Sequence, residues 1–221
     1  MAARKAGQSE IDQLPLPSID DDLSWFDNPA QFETVAKTET RTIRSRLKHL
    51  TKLATSKEGA GEVFTELPKP GECLHAICNG TFDYFVLLPI FVDLMGGKTT
   101  SFYGSTWTMN RNNALDLLAM YDNGSIGAIT LLTGNYFKRR EQAVYATVLE
   151  GLLERGQRFV SFANHTKIML LQSDENFMAI EGSANFTSNP RLENTTITND
   201  RDVWEFHRDW MEGIINGAKV R

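Results

Sequence analysis

The sequence predicts an α/β sandwich, a mixed central sheet flanked by helices, behind a disordered and helical N-terminal extension. Three observations carry this. Beyond position 66, short β-prone runs alternate with longer segments whose apolar residues recur at helical spacing. Three strand-like runs then follow one another without a helix between them, which implies a largely parallel first half and a hairpin in the second. The chain has 221 residues, 41% of them apolar and 23% charged, which suits one globular domain with an extension.

The first quarter divides by charge. Ala6 to Ala36 holds no Lys or Arg but seven acids, with Pro15, Pro17 and Pro29, so residues 1–36 read as an acidic disordered segment. Within it, Leu23, Trp25 and Phe26 sit among Asp20, Asp21, Asp22 and Asp27. That mixture is either a docking segment for a protein partner or a tail that packs back on the domain. From Lys37 to Lys57 seven basic residues face the single acid Glu39. Ile43, Leu47, Leu50 and Ala54 fall at helical spacing, so residues 37–65 read as a basic amphipathic helix and a linker. Such a helix either follows a nucleic-acid backbone or packs by one face and is otherwise solvated.

Residues 66–221 form the folded domain in this reading. Leu74–Ile77 is a strand and Asp83–Leu94 a helix. Strand Thr100–Trp107, helix Asn112–Tyr121 and strand Ala128–Leu132 follow. Arg140–Arg155 is helical, with Val144, Val148 and Leu152 on one side. Arg158–Phe162, Thr166–Gln172 and Phe177–Glu181 are consecutive strands. Strand Asn194–Thr198 and helix Asp202–Ile215 end the series.

Several classes are disfavoured. No apolar run reaches the roughly 18–20 residues of a membrane span. The N-terminus has no apolar secretory core, so a cytoplasmic location is expected. The net charge of −5 argues against polyanion binding over the whole surface, though not against a local basic site. Gly96-Gly97-Lys98-Thr99 lacks the earlier glycine of a phosphate-binding loop and precedes a strand, so a turn is expected. Cys73 and His75 share a strand face without a second ligand cluster, which suits core packing, with thiols reduced. His207 reads as a helix-face residue.

One segment carries chemistry. His165 and Lys167 lie two residues apart at the start of one strand, and Gly182-Ser183-Ala184-Asn185 closes the returning strand. Imidazole, ammonium, hydroxyl and amide are the groups that a phosphodiester displacement without metal requires. The imidazole attacks phosphorus, while the ammonium and the amide hydrogen-bond the non-bridging oxygens. On spacing alone, an ordinary hairpin with a polar end fits the segment equally well. No carboxylate cluster for Mg²⁺ surrounds the segment, so neither metal nor cofactor is expected.

His-x-Lys followed by Gly-Ser-x-Asn resembles the signature of the phospholipase D superfamily. The resemblance covers about twenty residues, and the element order beyond position 66 is compatible with that fold. It implies a covalent phosphohistidine at His165, with Lys167, Asn185 and Ser183 on the phosphate. The sequence departs from the family in two places. Gln172 stands where the family has Asp, and Thr196 stands where it has the Glu that orients the imidazole. Glu193 is the nearest acid and the candidate for that orienting role. The motif occurs once, whereas the family's active site uses two, so a two-fold homodimer with paired His165 rings is implied. Arg111, Lys138, Arg139 and Arg140 either line a substrate groove or are solvated helix caps.

The resulting expectation is a metal-independent phosphodiesterase acting on nucleic acid, DNA foremost, as an endonuclease or DNA-processing nuclease. The alternatives are a catalytically weak or inactive nucleic-acid-binding accessory protein on the same fold, and a phospholipid or other phosphodiester transferase.

Overall fold

The computed structural model describes residues 60–78, 83–188 and 191–217, and the backbone course of 48–53. The acidic segment 1–36 and the basic stretches 37–47 and 54–59 lie outside the described residues. In chain order the elements are β1 (Lys48–Leu53), α1 (Ala60–Val63), β2 (Glu72–Cys78), a 3₁₀ turn (Tyr84–Val86), α2 (Leu87–Leu94), β3 (Ser101–Thr106), α3 (Arg111–Asp122), β4 (Ile129–Gly134), α4 (Asn135–Arg140), α5 (Gln142–Glu154), β5 (Arg158–Phe162), β6 (Ile168–Gln172), β7 (Phe177–Gly182), β8 (Glu193–Asn199) and α6 (Arg201–Gly217).

Among the described residues eight strands form a single sheet in the order β1-β2-β8-β7-β6-β3-β4-β5. β3, β4 and β5 are parallel, and β6 and β7 form the expected hairpin. β2 departs from the expected parallel half: it pairs antiparallel with β8 and parallel with β1. The chain from β2 to β3 crosses the sheet through α2, and β6, β7 and β8 later fill the gap.

The expected basic helix is not found over Lys48–Leu53, which is a strand, so the sheet begins well before position 66. Leu50 and Leu53 are spaced as on a helix. The free edge of β2 nonetheless pairs this stretch from Lys48↔Glu72 to Leu53↔Ile77, and tertiary pairing overrides local preference.

Side-chain alternation divides the core. Met169, Leu171, Met178 and Ile180 turn to the larger cluster with Leu88 and Phe91 of α2, Leu117 of α3 and Leu152 of α5. Ile168, Leu170 and Ala179 turn to the opposite face, where α6 buries Val203, Trp204 and Met211. The result is the helix–sheet–helix sandwich that the sequence predicts. His207 is a buried helix-face residue: Nδ1 accepts from Trp210 Nε1 at 3.2 Å, and Nε2 lies 3.2 Å from Glu181.

Local chemistry sets the boundaries. Asp83 caps the 3₁₀ turn by accepting from Phe85 N at 3.0 Å. Pro89 falls in the first turn of α2, where its missing N–H leaves no helical bond unmade. Gly96 and Gly97, at φ 89° and 82°, close α2 in the left-handed region, so the glycine pair is a helix-ending turn. The helix expected over Arg140–Arg155 is α5, beginning at Gln142; Glu141 leaves helical geometry between it and α4, a short helix the sequence does not predict. Both cysteines are buried and free. Cys73 Sγ lies 3.5 Å from His75 Nε2 and accepts from Thr198, as core packing requires. Among the described residues no helix is long and apolar enough to cross a membrane, and no group of three or more His, Cys, Asp or Glu is placed to hold a metal ion.

Candidate active site at the sheet edge

The C-terminal ends of β3 and β4 meet the loop 163–167 that leads into β6. His165 and Lys167 sit in this loop, since β6 begins only at Ile168. Asn164 pins it. Its amide, 6% exposed, donates to Ser105 Oγ at 2.9 Å and Thr106 O at 3.3 Å, and accepts from Thr166 N at 3.0 Å and Thr166 Oγ1 at 2.8 Å. Ser105 and Thr166 hydroxyls close the ring of bonds at 2.6 Å. This polar knot leaves His165 exposed at the loop's crest, while Lys167 is 8% exposed.

Lys167 folds back on the loop. Its Nζ donates to His165 O at 2.6 Å and lies 3.1 Å from His165 Nδ1. An ammonium carries no lone pair, so while Lys167 is charged Nδ1 is the acceptor and the ring proton sits on Nε2. Burial, and then the Lys167 charge, pushes the His165 ring below its ordinary 6.5. Burial also lowers the Lys167 ammonium, while the nearby Glu193 carboxylate acts in the opposite sense.

The returning strand reaches the same edge. Gly182 N donates to Lys167 O at 3.1 Å. A Cβ at Gly182 would lie 2.9 Å from the Tyr84 ring and 3.0 Å from Asn194 O, so the glycine permits this close approach. Thr106 ties the two halves of the motif together: its hydroxyl accepts from Phe186 N at 3.1 Å, and its carbonyl accepts from Asn164. Asn185 therefore precedes a residue bonded to the same threonine as the His165 loop. Its Oδ1 is buried without a hydrogen-bond partner among the described residues.

Ser183 Oγ donates to Glu193 Oε2 and accepts from Asn194 N at 3.1 Å. Glu193 thus braces Ser183 and acts on the Lys167 charge. Among the described residues no carboxylate bonds the His165 ring, so the orienting role expected of Glu193 is not seen within this chain. Thr196, which stands at the family's position for that acid, contacts His75 instead, at 3.5 Å.

Of the four basic candidates, Arg111 opens α3 beside Asn110, whose backbone N donates to Phe186 O at 3.1 Å. Arg140 reaches the site through rings. Its guanidinium lies 5.0 Å from the Tyr136 centroid, Tyr136 stacks on Trp107 at 4.2 Å, and Trp107 lies 5.6 Å from the His165 ring. Lys138 turns to Tyr145 at 6.0 Å, and Arg139 is exposed. Asn164, Ser105, Trp107 and Tyr136 were not singled out from the sequence. The signal available there was an amide directly before the motif histidine and an aromatic residue at the end of β3.

No family model and no curated protein matches the chain. Solved structures do. Nuc of Salmonella typhimurium, a phospholipase D family member, aligns with 66% of this chain and 95% of its own at 15% identity and TM-score 0.50. Polyphosphate kinase of Porphyromonas gingivalis aligns over 67% of this chain and 26% of its own, at 12% identity and TM-score 0.48. The archaeal chromatin protein TrmBL2 aligns over 66% and 53%, at 10% identity and TM-score 0.43. The likeness to Nuc is one of fold.

Proposed function

We propose that this chain, built on the phospholipase D fold, is a metal-independent phosphodiesterase that cleaves nucleic acid, DNA foremost, through a composite site shared by two copies. The observation that carries the reading is the exposed His165 on a pinned loop, with Lys167 in contact and the Ser183–Asn185 loop bonded to the same β3 edge.

The chemistry follows from the groups. A phosphate oxygen draws Lys167 Nζ away from Nδ1. That release lets the ring proton move to Nδ1 and frees the Nε2 lone pair. Nε2 attacks phosphorus, and a P–N bond forms as the P–O bond to the leaving alkoxide breaks. Lys167 and the Asn185 amide N–H hydrogen-bond the non-bridging oxygens, where negative charge gathers, and Ser183 joins them once its proton leaves Glu193. The His165 ring of a second copy, in its protonated form, gives its proton to the leaving oxygen. The same ring then takes a proton from water, whose oxygen displaces Nε2 from phosphorus. Glu193 acts through Ser183 and Lys167. Arg111, Arg140, Lys138 and Arg139 attract the phosphate backbone.

The test is plasmid and oligonucleotide cleavage in excess EDTA by the purified chain beside His165→Ala. Cleavage that survives chelation and is lost in the variant is the expected result. Equal cleavage by both ends the reading. The Lys167 contact with Nδ1, together with no carboxylate on the ring, favours a second reading: a nucleic-acid-binding accessory protein with little turnover. Binding without cleavage by both forms selects it.

A further inference from the structure

We infer that the ring stack beside His165 is a base-binding subsite, and that the substrate strand is unpaired where it meets the site. This rests on the phosphodiesterase reading and names its substrate class.

Trp107 and Tyr136 lie nearly parallel, 4.2 Å apart at 21°, and Trp107 faces His165 at 5.6 Å and 51°. Both rings are only half-buried, whereas Trp204, on the core face of α6, is 2% exposed. The stack is built into the backbone. At Gly134, between β4 and α4, a Cβ would fall 2.4 Å from Trp107 Cδ1, 2.9 Å from Trp107 O and 3.0 Å from Asn164 O. Only glycine there lets the indole and the His165 loop close on the same spot. Ser161 Oγ fastens that glycine by donating to its carbonyl at 3.1 Å. Tyr136 follows two residues later, in the first turn of α4, which fixes its ring over the indole.

The exposed Arg140 guanidinium lies over the Tyr136 ring, 5.0 Å from its centroid. An exposed guanidinium over a half-buried ring is held weakly and is displaceable. A nucleobase offers a larger flat face and continues the series of rings. Arg140, once displaced, is free to meet a backbone phosphate. Flat aromatic faces, a displaceable cation over one of them and a phosphate-reactive imidazole one ring away match the repeating chemistry of a nucleic-acid strand. A paired duplex keeps its base faces inside its own stack and presents none to Tyr136. A lipid headgroup diester has no planar ring to offer.

The experiment uses the full chain carrying His165→Ala, so that binding is read without turnover. A fluorescein-labelled oligothymidylate is compared by anisotropy with a strand of the same length made of abasic linkages. The base-bearing strand is expected to bind about tenfold or more tightly. Tyr136→Leu should remove that preference and leave the affinity for the abasic strand in place, while Tyr136→Phe, which keeps the ring, keeps the preference. Equal binding of both strands, or a preference that survives Tyr136→Leu, overturns the subsite. Wild-type cleavage of the abasic strand that is lost in His165→Ala upholds the phosphodiesterase reading even then. Cleavage untouched by His165→Ala ends that reading, whatever the binding shows.

Discussion

Asn164→Ala tests the idea that a buried polar knot aims His165. The substitution deletes four hydrogen bonds made by an amide that is 6% exposed. At a net ~0.5–1.5 kcal/mol per bond, the gross loss is about 2–6 kcal/mol. Two features place the answer in the lower half. Two of the bonds share Oδ1, and the Ser105 and Thr166 hydroxyls still bond each other at 2.6 Å. The expected cost is therefore about 2–4 kcal/mol. With a urea slope of roughly 2 kcal/mol/M, the unfolding midpoint falls by about 1–2 M. Turnover per folded molecule should fall further than stability alone explains, by about tenfold or more, because the nucleophile's loop loses its anchor. Urea unfolding followed by fluorescence, beside EDTA-resistant nuclease assays on the folded fraction, reads both. A cost below about 0.5 kcal/mol with turnover intact would refute the role of the knot.

The remaining predictions concern charge and close packing. Lys167→Met removes the positive charge that helps hold the His165 ring below 6.5, so the ring's NMR titration should move upward while EDTA-resistant cleavage falls by about a hundredfold or more. An unmoved titration would show that burial alone sets it. In the wild type, cleavage requires one neutral and one protonated His165 ring, and the ring titrates below 6.5, so the rate profile should be bell-shaped with its maximum below pH 6.5; a rate that rises to a plateau above pH 7 would contradict the paired-ring mechanism. Glu212→Gln weakens the bonds that tie α6 to Arg158 and Tyr103, and should cost about 1–3 kcal/mol at neutral pH. Arg158 holds the Glu212 carboxyl at about 2, against an ordinary 4.5. The stabilisation is therefore complete above about 4.5 and lost as pH falls toward 2, so the gap between variant and wild type should close over that window. A gap that stays constant to pH 3 would contradict this assignment. Gly134→Ala forces Trp107 aside and should cost about 1–3 kcal/mol by thermal unfolding; a neutral result would show that the indole moves freely.

Much of this architecture was legible because strand and helix periodicities are local. Thr166–Gln172, Phe177–Glu181 and Asn194–Thr198 declared themselves through β-prone runs between turn residues, and α6 through Val203, Trp204, His207 and Met211 on one face. Lys48–Leu53 misled because its side-chain spacing is helical, while its partner, the edge of β2, lies more than twenty residues away. The motif placed His165 and Lys167 side by side correctly. Its supports were not legible, since Ser105, Thr106 and Asn164 are ordinary polar residues until β3 and the loop before β6 are brought together. The ring stack was hidden for the same reason: Trp107 and Tyr136 end different segments, and only the parallel pairing of β3 with β4 makes them neighbours. Glu193, the acid nearest the expected position, accepts from Ser183, a contact that only the pairing of β7 with β8 makes.

The most direct test of the central claim is capture of the covalent intermediate. An end-labelled oligonucleotide mixed with the chain in EDTA, quenched rapidly in alkaline denaturant and resolved by denaturing electrophoresis, should show label joined to protein. Mass spectrometry should place the adduct on His165, and His165→Ala should show neither band nor cleavage. Cleavage by the wild type with no adduct at any quench time, and undiminished cleavage by His165→Ala, would contradict the account.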